Sequence, residues 1–238
     1  MTPLAALVAA GIAAVGAERL GWLTRGGAGA GFLVGAAVLV GSDVPGGVML
    51  TLFLVSGSLL TKGSDRSRPH VGDAGTGRRN GAQVAANGLW AGASALAIPF
   101  APAFAWSALI GALAAAQADT WATEIGIRST KAPRLITTGQ PVLAGTDGGV
   151  TSRGTGGGVA GAALMSLAAV AGPAPWPAVV AGLIGGILGM LVDSLLGATV
   201  QYRGRRGWWW CTNDVVNFAC TGTGAVVAVG LTWTWSLT

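Results

Sequence analysis

Three carboxylates sit within or at the end of long apolar stretches of this chain. Asp119 and Glu124 belong to Gln117-Ala118-Asp119-Thr120-Trp121-Ala122-Thr123-Glu124, and Asp193 to Leu191-Val192-Asp193-Ser194-Leu195-Leu196-Gly197. A charged side chain at the centre of a membrane helix costs ~2.5–3.5 kcal/mol on insertion scales, so such groups face protein, water or a partner and mark function. Asp119 and Glu124 are five residues apart, about 140° around a regular helix. Both could reach one ion only if the helix unwinds at its end.

Polar groups with helical spacing accompany them. Asn80, Gln83 and Asn87 recur at i, i+3, i+7 and form one stripe. Asn213, Asn217 and Thr221 form a second, and Asp193, Gly197 and Gln201 a third in which a glycine opens space between two polar groups. Interhelical hydrogen bonding, worth about 1 kcal/mol per contact, is the competing explanation for the amides. The segment Gly145-Thr146-Asp147-Gly148-Gly149-Val150-Thr151-Ser152-Arg153-Gly154 leads into an apolar stretch. Glycine-freed N–H groups, the hydroxyls, Arg153 and a helix N-terminus could together cradle a phosphate. It is not a Walker A loop, because G-x-x-x-x-G-K-[ST] is absent. A tightly packed loop is the other reading. Arg78 and Arg79 abut the first amide stripe.

The elements that must carry these groups are membrane helices. Hydrophobic residues make up 52% of the 238 and charged residues only 10%, with a mean hydropathy of +0.62. That excludes an ordinary soluble domain, with its usual ~25% of charged residues, and a disordered chain. Glycine, 41 residues without a G-X-Y period, suits close helix packing rather than collagen. Cys211 and Cys220 make neither a disulfide framework nor a metal motif. Apolar segments near 3–18, 26–41, 45–61, 80–98, 103–124, 154–172, 177–200 and 213–236 predict an all-α bundle of about eight membrane helices, or seven if residues 1–41 make one crossing.

All 14 basic residues fall in alternate loops. Arg19 and Arg25 follow the first segment. Lys62, Arg66, Arg68, Arg78 and Arg79 follow the third. Arg128, Lys131, Arg134 and Arg153 follow the fifth, and Arg203, Arg205 and Arg206 the seventh. The positive-inside rule then predicts one integral membrane domain with both termini outside and cytoplasmic loops near 62–79, 127–153 and 201–212. Charge so placed serves topology and anionic lipid, and a nucleic-acid partner is not expected. Trp106, Trp176, Trp233 and Trp235 near outer ends, and Trp22, Trp121, Trp208, Trp209 and Trp210 near inner ends, read as interfacial anchors. His70 is given no role. Every polar group above falls in the cytoplasmic half, which suggests one shared cavity.

Five segments together resemble the domain-of-unknown-function 92 family. They are Gly77-Arg78-Arg79-Asn80 with Gln83 and Asn87; Ala118-Asp119-Thr120-Trp121-Ala122-Thr123-Glu124-Ile125-Gly126; Gly145-Thr146-Asp147-Gly148-Gly149-Val150-Thr151; Asp193-Ser194-Leu195-Leu196-Gly197-Ala198-Thr199 with Gln201; and Asn213-Asp214-Val215-Val216-Asn217. That family includes animal transmembrane protein 19 and the plant and cyanobacterial phytyl-phosphate kinases. The resemblance implies a membrane phosphotransferase that uses a nucleoside triphosphate, CTP or ATP, to convert phytyl or geranylgeranyl phosphate to the diphosphate. Phosphoryl transfer needs in-line positioning and charge neutralisation, and Mg²⁺ prefers carboxylate, water and phosphate oxygens. On this reading Asp119, Glu124 and Asp193 are the catalytic residues and hold Mg²⁺, assisted by Asp147. Gly145, Thr146, Asp147, Gly148, Gly149, Thr151 and Arg153 hold the triphosphate. Lys62, Arg78 and Arg79 take the acceptor phosphate, and Asn80, Gln83, Asn87 and Asn217 orient the groups. The alternatives are a transporter or flippase of a lipid phosphate, and a phosphatase or nucleotidyltransferase acting on the same lipid.

Overall fold

A computed structural model describes residues 1–64, 77–201 and 211–237. Arg66, Arg68, His70, Arg203, Arg205, Arg206 and Trp208–Trp210 lie outside the described residues. The chain builds α1 (Pro3–Arg19), α2 (Arg25–Ser64), α3 (Gly81–Ala97), α4 (Pro102–Gly126), α5 (Ser152–Val170), α6 (Trp176–Leu196) and α7 (Asn213–Trp235). Between α4 and α5 two short strands, β1 (Arg134–Leu135) and β2 (Gly149–Val150), pair antiparallel with Arg134 opposite Val150.

The 40 residues of α2 do not form one rod. A straight helix of that length would extend about 60 Å, yet its ends meet, because Lys62 Nζ donates to Leu20 O at 2.8 Å. The reversal is at Asp43, which has φ 57° and ψ −154°. Pro45 follows, and proline cannot continue the hydrogen-bond ladder through a bend. The two arms therefore run antiparallel, and the N-terminal amine reaches back to the Asp43 carboxylate.

The bundle is the expected all-α one. Among the described residues, three helices are long and apolar enough to cross a membrane: Arg25–Gly63, Trp176–Gln201 and Asn213–Trp235. The expectation of eight crossings reaches further than these three. Outward faces carry large apolar side chains, with Leu4, Ile12, Leu33, Leu167 and Val226 each more than 60% exposed. Such faces need a non-aqueous surrounding.

α4 runs through the centre, with Leu109, Ile110, Leu113 and every residue from Ala114 to Ala116 fully buried. Its backbone touches that of α7 where Gly111 meets Gly224, since a Cβ on either would overlap the other's carbonyl oxygen. α6 approaches the same stretch of α7 through Gly185. Without a hydrophobic drive between helices in lipid, contact this close is what small residues supply. Trp106 is only 3% exposed and packs in this core, so it is not the interfacial anchor expected of it. Trp176 and Trp233 remain more than half exposed at the far end.

Candidate functional site

One end of the bundle collects the C-terminal ends of α2, α4 and α6 and the N-terminal ends of α3, α5 and α7. A cavity of about 670 Å³ opens between them, closed on one side by the α4–α5 connection.

Asp119 from α4 and Asp193 from α6 line this cavity, and their carboxyl groups meet. Glu124 faces Asp119, and Asp147 of the connection faces Asp193, so four acids share one electrostatic neighbourhood. Asp193 Oδ2 is buried without a hydrogen-bond partner. Two carboxylates in contact repel unless a proton or a cation lies between them. The pair is thus a place where positive charge is welcome.

Glu124 departs from the expected trio. α4 stays regular as far as Gly126, so Glu124 keeps its offset from Asp119. Its Oε1 instead accepts from Thr61 Oγ1 at 2.7 Å, from the second arm of α2. Among the described residues, no three His, Cys, Asp or Glu side chains form a ready metal-binding group. The expectation that Asp119, Glu124 and Asp193 close on one ion is corrected to a contacting pair with Glu124 beside it. Mg²⁺ is commonly held by one or two carboxylates, completed by water and substrate phosphate. The pair and its orphaned oxygen fit that ion.

Another part of the lining is basic. The segment before α3 pairs with the α1–α2 link, Arg79 N donating to Trp22 O at 2.9 Å and Thr24 N to Arg79 O at 3.0 Å. That pairing fixes both arginines on the cavity. Arg78 is forked onto Leu23 O through Nε at 3.0 Å and Nη2 at 2.6 Å. Arg79 donates Nη1 to Ser58 Oγ at 2.9 Å, and its guanidinium lies 5.7 Å from the Phe53 ring centre. Lys131, one basic residue among several in the α4–α5 connection and without a motif around it, also lines the cavity.

Lys62 and Arg153 do not belong to this lining. Lys62 lies over the Trp22 ring at 5.9 Å and caps Leu20 O, holding α1 to α2. Arg153 donates Nη1 to Arg128 O at 2.9 Å and is exposed. Their expected roles on acceptor phosphate and triphosphate are corrected to fastening the helix ends.

The amides divide. Asn80 and Gln83 line the cavity, but they form a reciprocal capping box at the start of α3, each side-chain oxygen accepting the other's backbone N–H at 3.0 Å. Asn80 therefore caps the helix and is not the first residue of a helical stripe. Asn87 Nδ2 donates to Gln83 O at 2.9 Å, buried at the cavity floor. Asn217 and Asn213 line the α7 side, and below them Thr221 Oγ1 donates to Ala86 O of α3 at 3.0 Å.

The α4–α5 connection lines the cavity with Gly145, Thr146, Asp147, Gly148, Gly149 and Thr151. It is strapped to itself by hydrogen bonds. Thr146 N donates to Leu143 O, Gly149 N to Thr146 O, and Gly154 N to Thr151 Oγ1, which is the α5 N-cap. Those N–H groups are spent, so the wide backbone cradle expected here is narrowed. Gly148, with φ +73°, packs on the Ala198 backbone, leaving no room for a Cβ. Ala198 belongs to a π-helical turn, Gly197–Gln201, that continues α6. Such turns recur at functional sites. Here it breaks the register expected from Asp193 to Gln201, though both still face the cavity.

Apolar faces outward and a charged cavity within define an integral membrane protein with a polar site at one end. The family model for the integral membrane protein DUF92 matches residues 7–225, and the chain belongs to that family. It is similar to an uncharacterized membrane protein of Synechocystis, 31% identical over 227 residues that cover 92% of this chain and 86% of that one. It is 39% identical over 146 residues to an uncharacterized membrane protein of Methanocaldococcus jannaschii, covering 61% and 59% of the two chains. It is 32% identical over 206 residues to Protein PGR of Arabidopsis thaliana, covering 74% and 70%. No solved structure matches.

Proposed function

We propose that this chain is a membrane kinase that transfers a phosphoryl group from a nucleoside triphosphate, CTP or ATP, to an isoprenyl monophosphate such as phytyl or geranylgeranyl phosphate. The observation that carries the reading is the contact between Asp119 and Asp193 in a cavity whose lining also bears Arg78 and Arg79. Acids suited to a divalent ion, in one cavity with guanidinium groups, are what two phosphates brought together require.

An acceptor phosphate oxygen attacks the γ-phosphorus, forming the new P–O bond as the bond to the β–γ bridging oxygen breaks. The electron pair leaves with the nucleoside diphosphate. The acceptor oxygen is already anionic, so no strong general base is needed. Arg79 and Arg78 orient the acceptor and offset its charge, with Lys131 nearby. Thr146 and Thr151 flank the donor beside Asp147. Asn87 and Asn217 fix the cavity floor. Asp119 and Asp193 would hold Mg²⁺, which supplies neutralisation of the triphosphate and of the charge developing in transfer.

The described basic residues, from Arg19 and Arg25 to Arg153, gather at the cavity end. By the positive-inside rule that end faces the cytoplasm, where the nucleotide is. On this reading the arms of α2 count separately, so that eight helical segments cross the plasma membrane of a prokaryote and both termini lie outside. The transport alternative needs polar passage to the other end, whereas the cavity's lining comes from this end alone. The test is product analysis. Purified protein with geranylgeranyl phosphate, Mg²⁺ and each nucleotide in turn yields geranylgeranyl diphosphate. No diphosphate with any nucleotide and a range of prenyl phosphates would overturn the reading.

A further inference from the structure

A second, apolar pocket adjoins the polar cavity. It lies between the two arms of α2 and the start of α3, and Arg79, Gln83 and Asn87 line both spaces. Leu23, Val34 and Phe53 form its buried floor, while Leu50, Leu54 and Val84 are half-buried at its sides. A phosphate held at Arg79 therefore stands at the boundary, with charge on one side and hydrocarbon on the other.

We infer that this pocket takes the head-proximal part of one apolar chain of a lipid phosphate whose phosphate rests at Arg79, so that the acceptor is a single-chain amphiphile approaching sideways between α2 and α3. This rests on the proposed phosphoryl transfer for what happens to that phosphate, but not for where the chain lies. The pocket's volume of about 70 Å³ takes only a few water-sized groups. That admits the first few carbons of a single chain and leaves no room for two chains side by side. The chain starts in lipid, which is as apolar as the pocket, so hydrophobic transfer adds little. The pocket's contribution is selection by shape and alignment of the phosphate. Gly31 matters for this reason: a Cβ there would stand 3.3 Å from Leu23 Cδ1, so a larger side chain fills the space.

The test uses the full chain in nanodiscs and geranylgeranyl phosphate carrying a diazirine on its first isoprene unit. Irradiation labels peptides containing Leu50, Leu54 or Val84. Unlabelled geranylgeranyl phosphate suppresses the labelling and dioleoyl phosphatidic acid at equal concentration does not. Gly31→Leu lowers the labelling at least about tenfold, and Leu54→Phe does the same should Gly31→Leu fail to fold. Labelling elsewhere, no labelling at saturating probe, equal competition by phosphatidic acid, or full labelling in folded variants each overturns the inference. Labelling in the pocket without diphosphate from any nucleotide would sink the kinase and leave the pocket assignment. Turnover with labels elsewhere would do the reverse.

Discussion

Thr61 donates its hydroxyl to Glu124 at 2.7 Å, bridging the second arm of α2 to the central helix at the edge of the cavity. The contact is buried and made to a carboxylate, the class of hydrogen bond worth about 1.5–3 kcal/mol. Thr61→Val is expected to cost a stability in that range, read as a lower midpoint in thermal unfolding of the detergent-solubilised protein. Glu124→Gln keeps an oxygen acceptor for Thr61. It is expected to unfold close to the parent and to retain more activity than Asp119→Asn. Equal loss in the two acid variants would return Glu124 to the ion.

Gly148 joins the α4–α5 connection to the π-turn after Asp193. Its φ of +73° and the Ala198 backbone against it leave no space for a side chain. Gly148→Ala incurs about 1–2 kcal/mol from the left-handed conformation alone, before the clash. The connection is expected to lift from α6. Limited proteolysis would then cut between residues 127 and 151 faster than in the parent, and the nucleotide KM would rise more than the acceptor KM.

The cavity's membership was legible because of where its members sit. Asp119, Asp193, Asn87 and Asn217 interrupt apolar stretches, and a polar group there has few other places to point. Their convergence followed from all lying near one end of their helices. The partners of Lys62 and Arg153 are not legible, because they are carbonyl oxygens, 42 and 25 residues away in sequence, and any carbonyl looks alike in a sequence. The Asn80–Gln83 capping box was readable, since an Asn followed three residues later by Gln just before a helix is a start signal. The turn in α2 at Asp43 could be placed from the break between two apolar segments, but its left-handed geometry could not. The place of Lys131 in the lining carried no signal, because it is one basic residue among several in a loop.

The two arginines separate by their partners. Arg78 is forked onto Leu23 O, whereas Arg79 reaches Ser58 and stands between both pockets. Arg78→Lys loses the fork and is expected to lower thermal stability with a smaller change in acceptor KM. Arg79→Lys keeps the charge but not the planar group, and is expected to raise acceptor KM about tenfold or more with nucleotide KM unchanged. Initial-rate kinetics with geranylgeranyl phosphate varied at fixed nucleotide measures this. The opposite pattern would exchange their roles.

Gly111 and Gly224 set how closely α4 approaches α7, and through them the height of Asp119 relative to Asn217. Gly111→Val inserts bulk against the Gly224 carbonyl and is expected to cost well over the ~1–3 kcal/mol of ordinary overpacking. The yield of monodisperse protein by size-exclusion chromatography should fall sharply. The same change at Gly29, which has open space where a Cβ would go, should leave it unaltered.

The most direct test concerns Asp119 and Asp193 together. Parent, Asp119→Asn and Asp193→Asn proteins, matched for helical content and elution volume, are each assayed for geranylgeranyl diphosphate formed from geranylgeranyl phosphate and nucleoside triphosphate with Mg²⁺. The account predicts product from the parent, dependence on the metal, and loss of at least about a hundredfold in either variant, roughly 2.7 kcal/mol of transition-state stabilisation. Undiminished turnover in both variants, or turnover by the parent that chelation of Mg²⁺ leaves unchanged, would contradict it.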